Sequence, residues 1–271
     1  MLFFIYIYEC YNFIVYWRKS MKDFLNYFFG VGSEVEFELF TVAHFAPIVV
    51  MFLLIYLIYR FKDDLRDTKI DYYLRYAMAF ILIISEMAYY WRLVGMPSLH
   101  PNPVDHLPIA VCGWVAIFGS YMLIGKSQTL FDLCYFWLFA GSIFALITPA
   151  VIEYAGPTRF RYYQFWIEHI GGFIAIFYMI FVHKMRPTVK SMVKSYIGLA
   201  VMAVFAYYVN QLLPGANYLY MARPEAAPSI LDILPPNFVL RLFIMASVIT
   251  ILFVVSYLPW YFKDKREKQY K

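Results

Sequence analysis

Few side chains in these 271 residues can do chemistry, and those few sit where they are costly. Cys112, His44, Glu86, Glu168 and His169 all fall inside long apolar stretches, where an ionisable group marks a functional candidate. Depth follows from about 1.5 Å of rise per residue: His44 and Cys112 lie about 8 Å inside their spans, Glu86 about 12 Å, and Glu168 and His169 roughly 10–12 Å. Asn210 and Gln211 close a further stretch near the same surface. Five helices thus carry polar groups at one level, which scatter would not produce. A thiol beside an imidazole permits covalent acyl transfer, in which the base takes the proton, the thiolate attacks an acyl carbonyl, and the histidine later protonates the leaving oxygen.

Low dielectric disfavours a lone thiolate, so Cys112 needs His169 or His44 as a partner. A carboxylate, Glu86 or Glu168, would hold that histidine in the useful tautomer. Neighbours on a helix diverge by about 100°, so Glu168 and His169 are not expected both to point straight at one thiol. That favours Glu86 as the orienting group. Asn210 and Gln211 are expected to donate to an oxyanion, and His106, Glu168, Trp114 and Trp166 complete the expected substrate-binding set. Ordinary packing accounts for Gly171 and Gly172. Near the opposite surface Asp132, Cys134 and His183 read as interfacial residues, with no matching cluster.

Positioning these groups requires a membrane bundle. The chain is 63% hydrophobic and 15% charged, too little charge to cover a soluble domain, for which about a quarter is usual. Seven stretches approach the roughly 20 apolar residues of a span: 39–60, 72–94, 107–125, 129–152, 161–184, 192–213 and 238–262. Alternation of the barrel kind is absent, so the fold class is all-α, an integral membrane bundle of about seven helices. Residues 1–38 form an apolar segment and lead-in, 39–262 the transmembrane domain, and 263–271 a basic tail.

Lys and Arg set the orientation. Arg60, Lys62, Arg66, Lys69 and Arg75 fill the first connection, Lys126 the third, Lys184, Arg186, Lys190 and Lys194 the fifth, and Lys263 to Lys271 the tail. The intervening connections are poorer, with Arg92, then Arg159 and Arg161, then Arg223. The odd connections and the C-terminus are therefore expected in the cytoplasm of a cell-membrane protein, and the reactive level in the external half. The net charge of +5 then reflects topology and anionic headgroups, not nucleic acid. Glu34, Glu36 and Glu38 suit an external lead-in, whereas Arg18 and Lys19 leave residues 1–17 open between an upstream extension before a start at Met21, an eighth helix and an interfacial segment. Pro214, Pro224, Pro228, Pro235 and Pro236 exclude a regular helix over 214–237 and predict an ordered cap on the membrane surface.

The run His106-Leu107-Pro108-Ile109-Ala110-Val111-Cys112 resembles the LPLHLC signature of the YwaF-like family of bacterial multi-pass membrane proteins. Ala43-His44-Phe45, Phe136-Trp137 through Gly141 with Pro149, Phe165 to His169, Asn217-Tyr218-Leu219-Tyr220, Arg223-Pro224 and Ser229-Ile230-Leu231 agree in order, across roughly 38–262. That family is similar to a eukaryotic transmembrane acyltransferase that places polyunsaturated chains on ether-linked lysophospholipids. The resemblance implies a cysteine nucleophile with a histidine, carried onto Cys112 and His169. It departs at Ala110, where the signature has histidine, a role left to His106 or His44.

The expected function is a thiol-dependent lipid acyltransferase acting on phospholipid or another acyl lipid, with Cys112, His169, Glu86 and His44 as its catalytic set and no cofactor. A proton-coupled transporter or channel using His44, Glu86 and His169 is the first alternative, although broken helices and inverted repeats are not evident. A metal site from Cys112, His169, His44 and His106 is the second. Those types suit zinc, but no local spacing motif joins them.

Overall fold

The computed structural model describes residues 2–30, 37–149, 156–223 and 230–269. Glu34, Glu36, Pro224, Pro228, Ser229 and Lys271 lie outside the described residues, as do the side chains of residues 1–14, Cys10 among them. The helices are α1 (Leu2–Phe29), α2 (Val42–Arg60), a single turn α3 (Lys62–Leu65), α4 (Lys69–Gly95), α5 (Val111–Gly125), α6 (Gln128–Trp137), α7 (Ile143–Ile147), α8 (Phe160–Phe181), α9 (Val189–Leu212) and α10 (Phe238–Gln269). A π-helical turn, Leu138–Ser142, joins α6 to α7 into one membrane-crossing element. Among the described residues six helical elements are long and apolar enough to cross a membrane, and α5 is a shorter apolar seventh.

The seven expected spans are thus present, with corrected ends. α5 begins at Val111, not near 107, because Pro108 and the extended Ala110 keep the preceding chain out of helix. α4 begins earlier than expected, at Lys69, where the Thr68 hydroxyl caps the Asp71 N–H. Residues 2–29 form one helix that runs through Arg18 and Lys19. Its end docks where Arg92 donates to the Phe29 carbonyl and Tyr27 meets Thr158. α10 continues through the basic tail, held by Arg186 to Asp264 and Glu267.

α8 lies at the centre, packed on α2, α4 and α5, while α6 packs on α5 and α9. Of the apolar stretch of α8, 61% is buried, against 17% for α9 and 11% for α2 and α10, which therefore form the lipid-facing rim. Small residues permit the central packing. A Cβ on Gly171 would stand 2.9 Å from Leu82 of α4, and one on Gly172 would stand 2.9 Å from Leu138. In α2, Pro47 has no N–H for the Ala43 carbonyl, and the Tyr162 hydroxyl of α8 donates to that carbonyl instead, at 2.8 Å.

The two ends of the bundle differ. At the basic end, buried Asp71 accepts from Arg75, Tyr178 and His183, and Arg75 also caps the carbonyls of Leu123 and Ile124. Nearby, Asp132 takes Gln128, Ser191 and Lys194. This corrects the expectation of no polar cluster there: Asp71 and Arg75 lie inside α4, not in a connection. Cys134 is fully buried among apolar neighbours. At the other end, the loop 96–110 and the chain after α9 knit together. Tyr218 donates to the Val104 carbonyl and accepts from the Leu107 N–H, and Asn210 pairs with both backbone groups of Tyr218. Arg241, 0% exposed, holds the cap through the carbonyls of Tyr220, Leu234 and Pro235. In place of regular helix this cap has the 3-10 turns Tyr218–Tyr220 and Ile230–Ile233.

Candidate functional site

Cys112 is the second residue of α5. The first-turn N–H groups of a helix have no intrahelical acceptor, so the thiol lies where the backbone can donate and the helix dipole favours negative charge. The Trp114 indole fixes the approach by donating to the Pro108 carbonyl at 3.0 Å. Gly113 leaves room for the Glu86 carboxylate of α4, since a Cβ there would stand 2.6 Å from its Oε1. Glu86 also accepts from Tyr90 at 3.3 Å.

From α8 come His169 and Glu168. A ring nitrogen of His169, a carboxylate oxygen of Glu168 and the Cys112 sulfur all lie within 4.8 Å of one another. The adjacent pair does converge on one thiol, at a distance that both side chains can span. His169 Nδ1 is 2.8 Å from the Phe165 carbonyl, which can only accept. The proton therefore sits on Nδ1, and the lone pair on Nε2. The orienting contact that the sequence suggested for Glu86 is thus made by backbone.

Glu168 is anchored in its turn. It accepts from Gln164 at 2.7 Å, Gln164 also donates to the Ser85 carbonyl, and Ser85 returns a bond to the Gln164 carbonyl. Arg161 donates to Gln164 Oε1 and lies over the Tyr89 ring, whose hydroxyl is 2.6 Å from His106. Gln164, Arg161 and the two tyrosines were missed from sequence. A turn-long spacing to Glu168 was the available signal for Gln164, and Arg161 was counted as a loop charge.

Cys112, Glu86, Glu168, His169 and His106 all line one cavity of about 1290 Å³. Arg161 and Arg223 lie at its loop end, and its far wall comes from α9 and α10, including Leu199 and Ile249. The π turn lies where the α6–α7 element meets the cavity, with Gly141 against Val111.

Five expected residues do not line the cavity. His44 spends both ring nitrogens on backbone, accepting from the Phe40 N–H and reaching the Leu146 carbonyl at 2.8 Å. Trp166 packs against His44, Phe37 and Tyr162, and Trp114 holds Pro108. Asn210 braces Tyr218, and Gln211 is exposed. Between the cavity and the basic-end cluster, Leu82, Val115 and Leu138 meet over Gly171 and Gly172, so the polar groups form two separate sets.

Fold and site together define a multi-pass helical membrane protein whose bundle encloses a thiol, an imidazole and two carboxylates. The profile of the TMEM164 family, a family of transmembrane proteins, matches residues 39–258, most of the chain, and the chain belongs to that family. No curated protein and no solved structure matches it.

Proposed function

We propose that this chamber transfers acyl groups between membrane lipids through Cys112. The observation that carries the reading is the convergence of Cys112, His169 and Glu168 within 4.8 Å, in a cavity that is polar at one end and apolar along its depth. His169 Nε2 takes the thiol proton as sulfur attacks the donor ester carbonyl. The Cys112 and Gly113 N–H groups offer donors for the oxyanion. The ester C–O bond then breaks, and the leaving alkoxide recovers the proton from the imidazolium, whose charge Glu168 opposes. An acceptor hydroxyl gives its proton to His169 and attacks the thioester, restoring the thiol. The resemblance to a transmembrane phospholipid acyltransferase points the same way. With Ala110 lacking an imidazole and His44 outside the cavity, His106 is the second histidine of the chamber.

The Lys and Arg distribution supports a cytoplasmic C-terminus in the cell membrane, with the chamber opening toward the external leaflet. In proteoliposomes supplied with a phospholipid donor and a lysophospholipid acceptor, wild type should form a hydroxylamine-sensitive acyl-enzyme. Cys112→Ala should lose that adduct and at least a hundredfold in transfer. Transfer undiminished in a folded Cys112→Ala variant would overturn the proposal.

One observation favours a second reading. The same three donors, with Glu86 beside Gly113, are the types that hold zinc, and a small closing movement would bring them to bonding distance. Stoichiometric metal in the purified protein, lost on Cys112→Ala, would establish that reading instead.

A further inference from the structure

α9 and α10 meet at two levels. Near the loop end the Tyr207 and Phe238 rings lie 5.6 Å apart. Deeper, the Thr250 hydroxyl is 3.4 Å from that of Tyr196, whose ring meets Phe253 at 6.0 Å. Between these levels small residues stand on both helices: Ala200 and Ala203 on α9, Ala246 on α10. All three line the cavity that holds Cys112. So do Val204 and Val248, which expose 58% and 37% of their surface on the two rim helices. The chamber wall is therefore open here, and what lies outside a rim helix of this bundle is hydrocarbon.

The dimensions and polarity of the space select its occupant. Along α9 the lining runs from Tyr208 to Tyr196, about 18 Å of helix rise, against about 15 Å for one leaflet of hydrocarbon. Arg161, Arg223 and His106 stand at one end, while Leu199, Ala203, Met245 and Ile249 line the length below. An acyl chain carrying a polar head fits that order, and a compact polar solute does not.

We infer that the gap between α9 and α10 is a lateral window that admits one acyl chain of a bilayer lipid lengthwise, with Tyr196 and Thr250 as the floor that limits its reach. The position of the ester beside Cys112 rests on the acyl-transfer reading, but the seat for the chain does not. Widening or filling the gap therefore changes chain selection. Removing the floor by Tyr196→Ala lets longer chains be seated.

The test uses full-length protein in phosphatidylcholine vesicles containing a phospholipid with a diazirine at the end of one acyl chain. Cys112→Ala is the background, so that no turnover intervenes. After irradiation, peptide mapping should find adducts at Leu199 and Ile249; Leu199, only 9% exposed, is shielded from bulk lipid. Ala203→Trp and, from the opposite helix, Ala246→Trp should each cut labelling at these positions at least fivefold, while Val201→Trp, on the exposed face of α9 away from the cavity, should not. Tyr196→Ala in an active background should shift transferred chains toward greater length. Unchanged labelling at Leu199 in both tryptophan variants would overturn the window and leave the Cys112 reading standing. Window-dependent labelling together with undiminished transfer by Cys112→Ala would do the reverse.

Discussion

At the residue scale, the decisive feature is how little freedom His169 retains. Its Nδ1 proton is committed to the Phe165 carbonyl and its ring lies 4.1 Å from the Phe165 ring, so rotation would break a bond and lose packing at once. That fixes the lone pair without a carboxylate partner. His169→Ala should therefore lower turnover by about 10²–10⁴-fold with little change in apparent lipid KM, since the acyl chain is held elsewhere. Steady-state transfer in detergent-lipid micelles measures both constants. A rise in KM at constant turnover would instead make His169 a binding residue. Of this geometry, sequence disclosed the participants Cys112, His169, Glu168 and Glu86, because ionisable groups in apolar runs stand out. It did not disclose that backbone orients the imidazole, because a carbonyl acceptor one turn earlier in the same helix leaves no signature in residue type. His44 was misplaced for a related reason. Depth along a helix was legible, but facing was not, and His44 turns toward α7 and the chain before α2.

At the element scale, irregularities do the positioning. Proline opens α2 at Pro47, the π turn shifts the hydrogen-bond register of α6–α7, and Pro108 delays α5. Each freed backbone group in lipid must find a partner, and the Tyr162 hydroxyl supplies one for Ala43. Tyr162→Phe should destabilise the protein by about 1 kcal/mol, the scale measured for polar contacts within bilayers. In a Pro47→Ala background, where the residue 47 N–H is restored to the Ala43 carbonyl, most of that penalty should vanish. Thermal unfolding of the four proteins in a double-mutant cycle supplies the coupling, and a zero coupling would refute this pairing. Hydrophobic length made seven elements visible in sequence. The π turn was not, because Leu138–Ser142 are as apolar as their neighbours and differ only in hydrogen-bond register.

At the scale of the whole molecule, charge is segregated between ends joined by an apolar layer. The basic end holds Asp71 with Arg75 and Asp132 with Lys194, all tied down, whereas the loop end holds the chamber. Among the described residues, buried Leu82 packs at Gly171 and buried Val115 and Leu138 at Gly172, between the two polar sets. The orientation drawn from Lys and Arg is checked by protease digestion of intact cells and inverted vesicles carrying a C-terminal epitope. The epitope should survive in cells and be cut in inverted vesicles; the opposite pattern would turn the chamber to the cytoplasmic leaflet.

The brevity of α5 has a physical consequence for its surroundings. Fifteen residues reach about 22 Å, against a hydrocarbon thickness of about 30 Å, and the chain before it is irregular backbone braced by Tyr218. Such backbone is tolerated at membrane depth only beside protein or water. Tyr218 is that protein partner for the Leu107 N–H, so the shortness of α5 sets Cys112 below the level of the loops, sheltered by them from the surrounding hydrocarbon.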